Sequence, residues 1–454
     1  MMSSTEDTDS RVRVRFVCKA EQAYAVTDVA ISVPSKLNKT GLNEVICHLL
    51  ESDSMEDGGE KKVFDFKIGN VLVRESVESF IRKYELNTEN VIEIEYFPQA
   101  GMDGEQQSED QEAWVGCVDA SVKGNGCIYT GCYDGSIKIA SAESLITMAN
   151  ISAHDGHPIR GIRATDRYLL TGSKDHTMRC FMLTKGVDKN SRNKSSSSNA
   201  MVSLMEVGVM DAQSSSVESV DVDATRDLAL CGEYNGNVNG YNLRPCLDGS
   251  SSIFDTSLEG PSRKKKKGLG GGEESQVATL NSAFSMKAHA QNVSGLQVVS
   301  PRNRLYTCSY DHTVKIWDME RQDCVGTVNC AKIATSVHWS ESNSLIATSH
   351  PDGKIRLWHA DSKNIGEGNS SVGVYGGKKA QWISQVKWAP SNEHILSCVD
   401  YNGNVALWDI RATKPLSSIE AHNGKGLCLD WVVGMSKIAT GGADCMLNTC
   451  PVSL

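Results

Sequence analysis

Aromatic side chains make up only 6% of this chain, so its core must be assembled mainly from aliphatic and small residues. Fifteen cysteines are present, yet no two stand in a C-x-x-C pair, which removes the usual spacing of a zinc ribbon or a redox dithiol. Several of them (Cys132, Cys180, Cys231, Cys308, Cys398) fall in strand-like segments, where cysteine acts as a small apolar residue. Reduced thiols, and hence a cytosolic or nuclear protein, are expected. No stretch of 18 apolar residues occurs, and Met1–Ser10 is polar and acidic without an apolar segment, so neither secretion nor membrane insertion is expected. Phosphate-binding loops, G-x-S-x-G elbows, H-E-x-x-H pairs and the protein-kinase motifs are all missing, and no enzymatic activity or cofactor of its own is expected. A formal charge of -10 excludes a surface that is basic overall. Any nucleic-acid contact must then come from a local patch, and protein partners are the first expectation.

What is present is a repeat. The 454 residues exceed one ordinary domain, and beyond about residue 112 a single period dominates. Arg304-Leu-Tyr-Thr-Cys-Ser-Tyr-Asp-His-Thr-Val-Lys-Ile-Trp-Asp318 reads as a strand, a tight Asp-His turn and an alternating strand that ends in Trp-Asp, the pattern of a WD repeat. Turn anchors of the same kind stand at Asp134-Gly135, Asp175-His176, Asn235-Gly236, Asp311-His312, Asp352-Gly353, Asn402-Gly403 and Asp444-Cys445, which gives seven copies. Six residues beyond the anchors come the rings Phe181, Tyr241, Trp317, Trp358 and Trp408, whereas the first and last copies have Ala140 and Cys450. An Ala-His pair precedes three anchors, at His154, His289 and His422. Such a histidine is expected to hydrogen-bond a strand serine and the turn aspartate, here Ser173 with Asp175 and Ser309 with Asp311. These His and Asp positions, Asp444 included, are read as scaffold and not as catalysts.

The spacing between anchors stretches on both sides of the third copy, and two polar inserts account for it. They are expected near 186–200 and 248–276, with a smaller one at about 363–377 lengthening the loop before the sixth copy. The second contains Arg263, Lys264, Lys265, Lys266 and Lys267. An exposed basic run of this kind suits an acidic import receptor, or equally RNA phosphate. After the seventh copy the chain stops, so the last sheet needs an outer strand from upstream, and the very polar segment 103–112 is the candidate.

Ahead of the repeats the pattern differs. Arg11-Val-Arg-Val-Arg-Phe-Val17 alternates as a strand with three arginines on one face. A second strand is expected at Tyr24–Val26, then a helix on Leu42, Val45, Ile46, Leu49 and Leu50, strands at Phe64–Ile68 and Val71–Leu72, a short helix at about Ser76–Lys83 and a strand at Val91–Tyr96. The order ββαββαβ reads as an α+β ubiquitin-like β-grasp over 10–97, followed by a linker at 98–112 and an all-β seven-bladed propeller over 113–454.

Together with seven WD repeats, the segments Val12-Arg-Val-Arg-Phe16, Val33-Pro-Ser35, Gly41-Leu-Asn-Glu-Val-Ile-Cys-His-Leu-Leu50, Phe64-Asp-Phe66 and Leu86-Asn-Thr-Glu89 resemble one family across nearly the whole chain. It is the family of WD-repeat subunits of the pescadillo–block-of-proliferation complex, nucleolar assembly factors of the large ribosomal subunit. The resemblance implies a scaffold in pre-60S assembly and pre-rRNA processing that resides in the nucleolus and nucleoplasm. Its implied partners are a block-of-proliferation-like propeller, a pescadillo-like protein and the AAA ATPase midasin. It also implies that Glu89 completes a Mg²⁺ site carried by midasin, to which an octahedral ion with one open position would draw a carboxylate. Two other readings stand beside it: a notchless-like factor, which resembles an eight-repeat propeller, and a substrate adaptor or signalling scaffold.

Overall fold

The computed structural model describes all residues except 1–9, 19–24, 54–62, 70, 103, 123–125, 187–200, 212–213, 248–276, 361–370, 377–380, 413 and 454. The chain folds as two compact units, the first formed chiefly by residues up to Gly101 and the second chiefly by Met102–Val452.

In the first unit the alternation of Arg11–Cys18 (β1) becomes a strand whose Val12, Val14 and Phe16 are buried while its arginines face solvent. β1 pairs antiparallel with Ala30–Pro34 (β2) and parallel with Ile92–Pro98 (β5). Phe64–Ile68 (β3) pairs antiparallel with β5 and with Val71–Leu72 (β4), which gives the sheet order β2-β1-β5-β3-β4. The helices are Lys39–Asp53 (α1) and Val77–Tyr84 (α2). Ser76 caps α2 by accepting a hydrogen bond from the Ser79 amide, and Glu85 closes the helix in the left-handed region at φ 50°. Leu42 and Ile46 from α1 and Val77 and Phe80 from α2 bury themselves against Phe16, Phe66, Ile94 and Tyr96.

The second strand lies at Ala30–Pro34 and not at Tyr24–Val26. Tyr24 is outside the described residues, and the Val26 amide donates to the Tyr96 hydroxyl at 3.1 Å, so it spends its donor on a side chain and not on a ladder. Asp65 is buried between Phe64 and Phe66 and is neutralised by Lys39 at 2.6 Å and Arg74 at 3.0 Å. The pairing is what makes a buried carboxylate tolerable there.

Among the described residues the second unit contains seven sheets, six antiparallel ones of four strands and a mixed one of five. Their innermost strands are Val115–Asp119, Ile159–Ala164, Val217–Asp223, Val293–Val299, Ser336–Trp339, Ile383–Trp388 and Gly426–Val432. Each packs on the next, and the last returns to pack on the first. No sheet closes on itself; the ring closes by packing of sheet on sheet, as in a β-propeller. The seventh sheet takes its outer strand from upstream, with Gln107–Asp110 pairing antiparallel to Met446–Pro451. A segment this polar can serve because an outermost strand contributes backbone hydrogen bonds and needs no buried side chains.

Two details of the ring depart from the sequence reading. Gly373–Tyr375, expected inside a loop insert, is the outer strand of the fifth blade. Ala278–Leu280, next to the long insert of blade 3, joins the edge of blade 2 parallel to Met201–Asp211, making that sheet five-stranded. The long hairpin Thr177–Gly186/Met201–Asp211 frames the insert near 186–200, while 187–200 and 248–276 themselves, with Arg263–Lys267, lie outside the described residues. No described helix is long and apolar enough to cross a membrane.

Candidate interaction surfaces

All seven turn anchors place their second residue at positive φ, from 64° at Cys445 to 93° at Gly236. At Gly403 and Gly236 a Cβ would lie 2.1 Å and 2.2 Å from the carbonyl oxygens of His422 and His289, so only glycine allows the following blade to approach. Where the anchor is asparagine, at Asn235 and Asn402, the residue two positions earlier is an acid, Glu233 or Asp400. Asp400 accepts hydrogen bonds from the Asn402 and Asn404 amides, both at 2.9 Å, so the carboxylate that holds the turn has moved two residues upstream.

His154, His289 and His422 are buried beneath these turns. One ring nitrogen meets the turn aspartate, at 2.7 Å for Asp175, 3.0 Å for Asp311 and 3.0 Å for Asp444. The other meets a threonine, Thr171, Thr307 or Thr440, at 2.8–3.0 Å, and not the serine expected from sequence. Ser173 and Ser309 accept hydrogen bonds from the Asp175 and Asp311 amides instead, so the imidazole reaches one pleat deeper into the strand. In blades 4 and 5 the indoles of Trp317 and Trp358 donate to Thr307 and Thr348 at 2.9 Å. Trp408 is buried at the equivalent position in blade 6. Burial alone would raise the Asp175 and Asp311 carboxyls, but the hydrogen bonds from the histidines and from Thr177 and Thr313 outweigh it and hold both below the ordinary carboxylate range. In these three clusters both imidazole nitrogens are bonded within the blade, to the turn aspartate and to the strand threonine.

A second network laces the ring and involves residues that the repeat pattern did not single out. Asp119 accepts from the Ala164 amide of the next blade at 2.8 Å, Asp221 from Val298 at 2.7 Å and Gln297 from Trp339 at 2.6 Å. His338 accepts from Trp388 at 3.1 Å, Gln385 from Leu429 at 2.8 Å and Asp430 from Ala120 at 2.9 Å. Between blades 2 and 3 the link is ionic, Arg163 to Asp221 at 2.8 Å. Each of these residues lies on an inner strand, 12 to 17 positions before the turn anchor of its own blade.

Burial, reinforced by Lys387 and Arg163, pushes His338 well below the usual histidine range, and this neutrality leaves its Nδ1 free to accept the Trp388 amide. Burial likewise lowers His350 to about 4. A base whose folded pKa is depressed binds fewer protons folded than unfolded, so stability is fully present above about pH 6.5 and declines toward pH 4. The urea midpoint of the propeller should fall between pH 7 and pH 5. His350→Ser, which installs the residue that blade 4 carries as Ser309, should flatten that fall. An unchanged slope in this variant would remove His350 as a contributor.

The fifteen cysteines are all free thiols. Burial pushes Cys180, Cys308 and Cys398 up to about 12, which suits packing and not redox chemistry. Among the described residues, no group of three or more His, Cys, Asp or Glu could hold a metal ion.

Glu89 stands in the turn between α2 and β5, in the first unit. Leu86 packs against the core and its amide donates to Ile81 at 3.1 Å, while Ile92 is buried at the start of β5, so both ends of the turn are fixed. The Glu89 amide donates to Asn87 Oδ1 at 2.9 Å. That side-chain turn holds the loop while the Glu89 side chain remains exposed. One exposed carboxylate on a fixed loop can supply one hard oxygen ligand to an ion held elsewhere.

Residues 12–81 match the NLE (NUC135) domain, and residues 280–318, 322–359 and 369–409 match the WD domain, G-beta repeat. The chain is 29% identical over 450 residues to "Ribosome biogenesis protein WDR12 homolog" of Arabidopsis thaliana, covering 98% of this chain and 97% of that one. The protein of the same name from Oryza sativa subsp. japonica is 29% identical over 447 residues, with 97% and 96% covered. That from Ixodes scapularis is 28% identical over 446 residues, with 97% and 98% covered.

Proposed function

We propose, from the premise that this chain joins an NLE domain to WD repeats and is similar along nearly its whole length to ribosome biogenesis proteins, that it is a non-enzymatic scaffold in assembly of the large (60S) ribosomal subunit and in pre-rRNA processing. The observation that carries this reading is the continuity of the likeness through both parts of the chain, since WD repeats by themselves serve unrelated functions. In this reading 10–97 is a ubiquitin-like β-grasp and 113–454 the propeller, while the segment 98–112, expected as a linker, gives Gln107–Asp110 to the seventh blade and so belongs in part to the ring. The propeller docks on a block-of-proliferation-like WD protein and, through it, joins a pescadillo-like protein. Midasin grips the N-terminal domain, with Glu89 completing its Mg²⁺ site, and ATP-driven force removes the factor from pre-60S particles. The work takes place in the nucleolus and nucleoplasm, with Arg263–Lys267 serving import or RNA contact.

Seven sheets in the second unit favour this reading over a notchless-like factor, and the NLE match favours it over a generic adaptor. The test is replacement of the chain in its own cells. Depletion should lower the ratio of large to small subunits on sucrose gradients, wild type should restore it, and Glu89→Ala should leave the protein accumulated severalfold on large-subunit precursors. A normal subunit ratio after depletion would reject the proposal.

A further inference from the structure

One end of the propeller's axis has a chemistry that the ring does not consume. In six blades the residue following the second strand donates its amide to the carbonyl of the residue preceding the first. The pairs are Tyr133 with Trp114, Lys174 with Pro158, Tyr234 with Ser216, Tyr310 with Asn292, Tyr401 with Trp382 and Ala443 with Lys425, at 2.8–3.1 Å. Four of the paired residues, Asn292, Tyr310, Trp382 and Tyr401, line the mouth of an axial cavity, about 190 Å³ in volume, together with Arg160 and Glu218. Trp382 stacks on Tyr401 with centroids 5.3 Å apart, which gives the mouth one aromatic wall.

Arg160 sits in the middle of this rim. Its Nε donates to Glu218 at 3.2 Å and one terminal nitrogen donates to the Tyr133 hydroxyl at 2.7 Å, which leaves further guanidinium N–H groups without an acceptor among the described residues. Tyr310 and Tyr401 lie within electrostatic reach of Arg160, and neither hydroxyl has a hydrogen-bond partner among the described residues. Asn292 is more than nine-tenths buried, and its Oδ1 is also without a partner. The mouth therefore offers two phenol donors and the guanidinium N–H groups that Glu218 and Tyr133 do not take, beside one buried acceptor that lacks a donor.

We propose that this mouth is a socket for an acidic residue of a protein partner, whose carboxylate binds Arg160 and the Tyr310 and Tyr401 hydroxyls while a backbone N–H of the same partner satisfies Asn292 Oδ1. A carboxylate matches the forked donors of a guanidinium. The Asn292 acceptor favours a polypeptide, because a peptide brings an N–H beside its carboxylate, whereas a phosphodiester has no donor of its own and must borrow a ribose hydroxyl or a base N–H. The aromatic wall excludes water and strengthens the charge contact. This inference does not depend on the ribosome-assembly reading.

The test uses the full chain and three probes: N-acetyl-aspartate N-methylamide, its asparagine counterpart and inorganic phosphate. The indole N–H signal of Trp382 reports on the mouth by NMR. The aspartate probe should shift it saturably, and the uncharged asparagine probe should bind at least about tenfold more weakly. Tyr310→Phe/Tyr401→Phe keeps both rings and removes both hydroxyls, and it should weaken the aspartate probe at least about fivefold. Arg160→Met should abolish binding, the Phe pair serving as the arbiter if this variant folds poorly. The proposal is overturned by equal binding of the aspartate and asparagine probes, by no saturable shift with aspartate, or by an unchanged affinity in the Phe pair. Binding of phosphate in preference to aspartate would also overturn it and would assign the mouth to a phosphodiester.

Discussion

A Mg²⁺-loaded adhesion-type domain of midasin should capture the wild-type chain and lose Glu89→Ala by about a hundredfold or more in Kd, the scale expected when one partner of a desolvated charge contact is removed. EDTA should abolish capture of the wild type to the same degree, because the carboxylate and the ion are two halves of one bond. The size of the effect rests on preorganisation. Leu86 and Ile92 anchor the turn in the core, and Asn87 holds the Glu89 amide at 2.9 Å, so little ordering remains to be done on binding. Glu85→Ala removes an equally exposed acid just beyond the end of the same helix and should change Kd less than about threefold, as expected of a peripheral charge. Equal losses in the two variants would reduce Glu89 to part of a diffuse acidic surface. Chelator-insensitive binding would remove the metal altogether.

The second large effect concerns stability. Thr307→Val should destabilise the propeller by about 2–5 kcal/mol, because the Thr307 hydroxyl serves two buried rings at once and their desolvated groups would be left unpaired. It accepts from the Trp317 indole at 2.9 Å and bonds the His289 imidazole at 2.8 Å, and both rings are buried. Blade 1 provides the internal control. Thr130 occupies a comparable buried strand position but makes only long contacts, 3.3 Å to the Lys138 carbonyl and 3.4 Å to Gln111, in a blade with Ala140 where others have a ring. Thr130→Val should therefore cost less than about 1 kcal/mol. Urea unfolding followed by tryptophan fluorescence would separate the two. Equal costs would mean that burial of the hydroxyl, and not the ring network, sets the energy.

Much of the architecture could be read from one dimension because it repeats or alternates. The buried and exposed residues of Arg11–Cys18 follow directly from a period of two, and the seven anchors each lie between paired strands because a tight turn with one residue at positive φ ties its neighbours together locally. The second strand of the first unit was misplaced at Tyr24–Val26 because local propensity cannot tell which of two apolar stretches finds a ladder; β1 pairs with Ala30–Pro34 through register, a non-local property. Gly373–Tyr375 and Ala278–Leu280 were missed for a related reason. Short outer strands need neither periodicity nor burial, only an edge to join.

The sites divide along the same line. Glu89 could be named in advance only through a resemblance in Leu86-Asn-Thr-Glu89, since an exposed acid leaves no trace in hydropathy. The structure adds that its loop is fixed at both ends. The choice of threonine over serine as the histidine's partner could not be read from sequence, because Thr171 and Ser173 differ by one pleat and lie on the same face of the strand. The axial mouth was also hidden. Tyr310 and Tyr401 share a place in the repeat, each directly before a turn anchor, but their meeting with Arg160 of blade 2 and Asn292 of blade 4 at one cavity could not be read from spacing.

By itself the sequence determined the repeat number, the turn chemistry, the strand alternation and a core without disulfides, because each of these shows in residue types or in patterns over a few positions. Only the tertiary structure decided which edge each outer strand joins, how acceptors on one inner strand lace the next, and which side chains meet on the axis. Those outcomes depend on closing a ring of seven sheets, and closure brings together residues that are remote along the chain.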